Sequence, residues 1–157
     1  GVYSKLFNRI TQKTIVNTAL GQMFNNFYGT TRGRLIEKLV ANTKYVGWEW
    51  LDNISSNFPT FDFMKGNTFS SFKTFMGEKF SFSEYRGFID KITGKMENGF
   101  MFKGKPYKPS SGVLDILVPE KMVKQFTEEG GKFYKDYQKL LEYGEKNNVK
   151  VNLNSKI

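Results

Sequence analysis

Apolar residues recur at two spacings along this chain, and each spacing predicts a different element. Between Thr11 and Phe27, Ile15, Ala19, Met23 and Phe27 repeat every four residues, as do Val16, Leu20 and Phe24. That spacing predicts a helix with Thr11 as its N-cap and Tyr28-Gly29-Thr30 as its end. Leu35, Ile36, Leu39 and Val40 predict a second helix over 31–41, with Arg32, Arg34, Glu37 and Lys38 outside its apolar stripe. Tyr45-Val-Gly-Trp-Glu-Trp50 reads as a short aromatic strand, and residues 52–57 as a loop.

From Phe58 to Phe75 the period changes to two. Gly66-Asn67 is a two-residue turn signal flanked by alternating apolar residues, which predicts a β-hairpin. With those two residues as the loop, Lys65 faces Thr68, Met64 faces Phe69, Phe63 faces Ser70 and Asp62 faces Ser71. Side chains alternate along a strand, so Asp62, Ser71 and Lys73 share one face, while Phe61, Phe63, Ser70 and Phe72 take the other. A carboxylate, a hydroxyl and an ammonium then converge on one surface, expected to be the solvent-facing side near a cleft. A slip of one residue would exchange Ser70 for Ser71.

Further along, Ser83 is the expected cap of a helix running to about Met96, with Tyr85, Phe88, Ile89, Ile92 and Met96 on its buried side. Residues 99–102 and 113–118 read as strands joined by a basic loop over 103–112. Pro119 stops the second strand. Residues 122–126 and 133–147 read as helices separated by Gly130-Gly131, and residues 149–153 as a closing strand. This order predicts an α/β protein with a mixed β-sheet flanked by helices.

Composition narrows the chemistry. Of 157 residues, 39% are hydrophobic and sixteen are Phe, enough for a single folded domain. No apolar run approaches the roughly 20 residues that a membrane span needs. The start, Gly1-Val-Tyr-Ser-Lys5, has no signal-peptide core and no initiator Met, and reads as cut from a longer chain. The absence of Cys and His argues against disulfides, zinc and His-dependent catalysis. A metal here would need hard oxygen ligands, which suits Mg²⁺ or Mn²⁺. The net charge of +9 is spread along the chain and points to a structured basic face with an anionic partner.

A helix carrying Glu37, a strand, a strand carrying Asp62, a hairpin turn and a strand ending in Ser71-Phe72-Lys73 is similar to the PD-(D/E)XK nuclease core. Residues 32–37, 47–50, 57–63 and 70–74, with 114–119, 137–144 and 149–153, resemble nuclease domains of bacterial polymorphic toxins. These domains end contact-dependent growth-inhibition proteins and related secreted toxins, and often carry Ser-x-Lys-Thr where the superfamily has Glu-x-Lys. The likeness covers about Thr30 to Leu153, so residues 1–29 form an N-terminal helical extension and 30–157 the nuclease-like toxin domain.

The resemblance implies a restriction-endonuclease-like core with Glu37, Asp62, Ser71 and Lys73 as its catalytic set. Asp62 and Glu37 would hold Mg²⁺ or Mn²⁺; Glu49 is the second choice for the partner carboxylate, because Ser71 brings no charge. Lys73 would neutralise charge at the phosphate and Ser71 would hydrogen-bond it. Arg32, Arg34 and Lys65 are candidate backbone contacts, and Trp48, with Trp50 and Phe69, a candidate base-stacking surface. The implied protein is part of a larger secreted toxin that cleaves RNA, tRNA included, or DNA in the target-cell cytoplasm. It would be neutralised by an acidic immunity protein. The alternative is a non-enzymatic basic nucleic-acid-binding module of a phage or secretion particle. The residues leave metal-dependent and metal-independent cleavage both open.

Overall fold

A computed structural model describes residues 2–26, 29–51 and 60–157; the side chains of residues 2–11, 29–31, 33, 37, 60 and 61 lie outside that description. The expected loop over 52–57 and the Phe58-Pro59 start of the hairpin fall outside it too. Helix α1 spans Val2–Asn26 and α2 spans Gly29–Ala41. The first helix starts well before the expected Thr11 cap. No Pro or Gly interrupts residues 2–20, so nothing there stops a helix.

The aromatic strand expected over 45–50 shrinks to β1, Glu49–Trp50. Gly47, at φ 86°, turns the chain, and residues 42–48 wind on from α2 through turn bonds such as Tyr45 N–H to Val40 O at 3.0 Å. Strands β2 (Thr60–Lys65) and β3 (Thr68–Thr74) form the hairpin in the expected register, with Asp62 opposite Ser71 and Phe63 opposite Ser70.

Helix α3 spans Phe82–Asn98, and its cap is Ser81 rather than Ser83: the Ser81 hydroxyl accepts from the Glu84 N–H at 3.3 Å. The expected loop over 103–112 is partly strand. Strands β4 (Phe100–Phe102) and β5 (Lys105–Tyr107) make a separate two-stranded ribbon. Its turn is Lys103-Gly104, both at positive φ (49° and 74°), the geometry that matches the twist of a tight hairpin. Strand β6 (Ser111–Leu117) follows, then a single 3₁₀ turn, α4 (Val123–Thr127), α5 (Tyr134–Lys146) and β7 (Val149–Asn154).

The main sheet has the order β1-β2-β3-β6-β7. Its first three strands form an antiparallel meander; β3, β6 and β7 are parallel. Parallel neighbours need crossovers, and α3 with the ribbon, then α4 with α5, supply them. This is a mixed five-stranded sheet flanked by helices.

Alternation sorts each strand between two cores. On one face Met64, Phe69, Leu114 and Ile116 pack with Ile89 and Ile92 of α3, Phe126 of α4 and Leu140 of α5. On the other, Phe63, Phe72 and Leu117 pack with Leu20 and Phe24 of α1, Ile36 and Val40 of α2, and Tyr45. Each fully buried Phe or Ile contributes on the order of 1.5–3 kcal/mol. Both faces of β3 are therefore covered. Among the described residues no helix is long and apolar enough to cross a membrane.

Candidate active site

Asp62, Ser71 and Lys73 lie on the face covered by α3. The register makes Asp62 and Ser71 direct cross-strand neighbours and puts Lys73 two positions beyond, opposite Thr60. The expectation that they share a face holds. The expectation that this face meets solvent does not: the three residues are 3%, 2% and 5% exposed. The reason lies beyond the hairpin. Helix α3 returns over β3 as the crossover to β6 and roofs the polar residues along with the apolar ones.

That roof supplies groups of its own. Lys91 reaches down from α3 with Nζ 3.6 Å from Asp62 Oδ2, its side chain half exposed. One turn earlier Phe88 presents its ring to Lys73, whose Nζ stands 3.6 Å from the ring centroid. A cation over an aromatic face in a desolvated site is held more strongly than at the surface. One turn after Lys91, Lys95 lies over Phe69 and over Phe100 of the ribbon, at 5.7 and 4.7 Å. Phe88, Lys91 and Lys95 thus follow β3 backwards from Lys73 to Phe69. Lys91 was missed from sequence, although its four-residue spacing to Lys95 marks a basic edge on α3.

A second polar cluster occupies the opposite face. Asp115 on β6, 4% exposed, accepts at Oδ2 from the Tyr45 hydroxyl and from Ser70 Oγ at 3.3 Å, and at Oδ1 from Asn152 Nδ2 at 3.0 Å. Tyr45 OH and Ser70 Oγ are 2.8 Å apart, and Lys44 Nζ stands 3.6 Å from Oδ2. Burial, then the negative charge of Asp115, push the Tyr45 hydroxyl well above its ordinary pKa. The Tyr45 ring stacks on Phe63 with centroids 3.9 Å apart. A buried carboxylate with this many donors is a satisfied structural tie between the α2 turn and three strands. Its one sequence signal is an Asp inside the apolar run Val113–Val118.

The remaining candidates divide between the two faces. Helix α2, which carries Glu37, Arg32 and Arg34, packs on the Asp115 side, so the sheet separates its backbone from Asp62. The side chain of Glu37 lies outside the described residues. Arg34 is exposed; Arg32 is half-buried over the Phe24 ring at 6.0 Å, and burial lowers its pKa. Trp48 packs against the α2-side core with its ring edge-on to Tyr45, 5.3 Å between centroids. Trp50 packs there too, and Phe69 is 1% exposed, so it offers no face to a base. Lys65 is exposed beside the hairpin turn. Glu49 pairs with Met64 and therefore shares the face of Asp62, but its Oε2 accepts from the Tyr107 hydroxyl at 2.5 Å.

The Mg²⁺ or Mn²⁺ that the resemblance implies does not fit the described donors on this face. Asp62 stands beside Lys91 and shares a face with Lys73, and Glu49 is engaged with Tyr107. A carboxylate whose charge is already met by neighbouring ammonium groups is a poor cation ligand. Among the described residues no group of three or more acidic side chains is placed to hold a metal. The set suits an anion instead: two positive charges and one hydroxyl around a single carboxylate. No family model, curated protein or solved structure matches this chain.

Proposed function

We propose that this chain is the nuclease domain of a larger secreted bacterial toxin. It cleaves phosphodiester bonds of RNA, tRNA included, or of DNA in the target-cell cytoplasm, and an acidic immunity protein neutralises it. The observation that carries this reading is the meeting of Asp62, Ser71 and Lys73 on one sheet face with Lys91 on Asp62. The order of helix, strand, Asp strand, turn and x-Lys strand, which the PD-(D/E)XK resemblance rests on, supports it.

The chemistry follows from the groups. Asp62 takes the proton of the attacking hydroxyl, from water or from a ribose 2′-OH. The new P–O bond forms as the opposite P–O bond breaks. Lys73 and the Ser71 hydroxyl stabilise the charge on the non-bridging oxygens, a role in which fixed positive groups act most strongly when shielded from water. Lys91 gives a proton to the departing oxygen, and exchange with solvent resets both groups. Lys91 is half exposed and paired with Asp62, so in this reading a phosphate displaces its ammonium from the carboxylate on entry.

The deep burial of Asp62 and Lys73 favours one competing reading, a non-enzymatic basic module in which they are a structural pair. Purified protein incubated with plasmid DNA and with total RNA, in Mg²⁺, Mn²⁺ or EDTA, separates the two. Cleavage that survives EDTA and vanishes in Asp62→Asn is the expected result. Cleavage only with Mg²⁺ would bring back a cation and a second carboxylate, Glu49 first. No cleavage under any condition, with nucleic acid still bound, would establish the binding module.

A further inference from the structure

No residue of the β4–β5 ribbon is fully buried. Met101, at 65% exposed, and Pro106 face each other across it and stand outward. Lys103, Lys105 and Lys108 on the ribbon and just beyond it are exposed. Its inner side is anchored. Phe100 stacks on Tyr107 with centroids 5.4 Å apart and meets Phe69 edge-on at 5.7 Å, and the Tyr107 hydroxyl donates to Glu49 on the edge strand.

The rings are already covered by cations. Lys95 lies over Phe100 at 4.7 Å, Lys105 over Tyr107 at 5.2 Å and Lys103 over Phe102 at 5.4 Å. A platform for single-stranded bases needs bare aromatic faces. This ribbon shows ammonium groups instead, and ammonium groups bind phosphate without reading bases. Lys95 links the ribbon to Lys91, one helical turn on, and so to Asp62. Lysines therefore stand on the ribbon, over Phe100 at its base, and beside Asp62.

We propose that the β4–β5 ribbon is a substrate arm that grips the backbone of duplex DNA and leads one phosphate along Lys95 and Lys91 to Asp62. A two-stranded ribbon matches the width of the B-form major groove, whereas the A-form RNA groove is too narrow to admit it. The inference rests on the nuclease reading for its destination, but the arm is tested by binding alone.

Fluorescence anisotropy with a labelled 20-base-pair DNA duplex, in an Asp62→Asn background and with the duplex checked intact on a gel, provides the test. The same-sequence single strand, an RNA duplex and poly-glutamate are the comparison probes. The triple variant Lys103→Gln, Lys105→Gln, Lys108→Gln should weaken duplex DNA binding tenfold or more with an unchanged melting temperature. The slope of log affinity against log salt should fall by about 2.7, since each lost phosphate contact removes about 0.9. Lys103→Glu at the exposed turn should weaken binding in the same direction, and it carries the test if the triple variant folds poorly. Duplex affinity and slope equal to the parent's would overturn the proposal, as would equal losses on duplex and single strand. Loss of poly-glutamate binding alone would reassign the ribbon to an acidic protein. If Asp62→Asn abolishes cleavage while the ribbon variants bind normally, the arm fails and the site stands. If Asp62→Asn still cleaves while the ribbon variants lose the duplex, the site fails and the arm stands.

Discussion

Lys73 carries a charge beneath a helix, and that fixes what its replacements do. Its neighbour on the same face, Asp62, is paired with Lys91, so removing the Lys73 ammonium leaves that carboxylate partnered. Lys73→Met keeps the stem's packing but takes the ammonium from the Phe88 ring, and should lower stability by about 2 kcal/mol. Cleavage should fall about a hundredfold or more, the usual cost of one preorganised charge. Asp62→Ala is different: it strips the carboxylate from a buried basic site. Such a change costs about 3–5 kcal/mol, where a surface change would cost about 0.5 or less. Thermal melting should show a drop of several degrees for Asp62→Ala and, since Asn removes the same charge, a comparable one for Asp62→Asn, with cleavage lost in both. Asp62→Ala melting like the parent would mean that its charge is solvated after all. The opposite pattern is expected at Tyr45→Phe. It removes a donor from buried Asp115, so stability should fall by about 1–3 kcal/mol while cleavage stays within a few-fold of the parent.

Two elements meet without space where α3 crosses β6. A Cβ placed on Gly112 would come within 2.4 Å of Ile92 Cγ2 and 2.9 Å of Met96 Sδ. Gly112→Ala must therefore push Ile92 and Met96 on the inner side of α3, at about 1–3 kcal/mol. Lys91 and Phe88 ride on that helix, so the variant should lose cleavage as well as melting temperature; unchanged activity would separate the α3 roof from the site. Ser81→Ala removes the cap of the same helix and should cost about 1 kcal/mol, read by the same melts. The contrast shows what the sequence could reveal about these elements. The hairpin register was legible because a two-residue turn and strict alternation settle it locally. Which face would be wet was not, since alternation says only that there are two faces. Helices far along the chain, α3 to α5 on one side and α1 and α2 on the other, decided that both would be covered. The Asp115 cluster and the ribbon were illegible for the same reason. Asp115 meets Tyr45 seventy positions away, and the ribbon's turn has Lys103, not Asn, Asp or Gly, at its first positive-φ position, which leaves Gly104 alone to announce it.

For the molecule as a whole, the titrating groups set a pH range. There is no His, so no imidazole titrates between pH 5 and 8. The large shifts fall on tyrosines. Burial pushes up the hydroxyls of Tyr45, Tyr85 and Tyr137, with Asp115 adding to the effect at Tyr45 and Glu84 at Tyr85. Below about pH 10 the hydroxyls keep their protons in both the folded and the unfolded chain, and their contribution to stability is fully present. Above it the unfolded chain releases protons that the folded chain retains. The unfolded state then binds fewer protons, so stability falls as pH rises. Lysines lose charge in the same range, which relieves the repulsion of a +9 chain and acts the other way. Parent and Tyr45→Phe differ only in the tyrosine term, so their comparison isolates it. The parent's melting temperature should be nearly flat from pH 6 to about 9 and drop steeply beyond about 10. Tyr45→Phe should start lower, for want of its hydrogen bonds to Asp115 and Ser70, and drop less steeply. Two alkaline limbs of equal slope would show that the folded protein does not hold the Tyr45 proton, and would remove the Asp115 cluster as the tie between the α2 turn and the sheet.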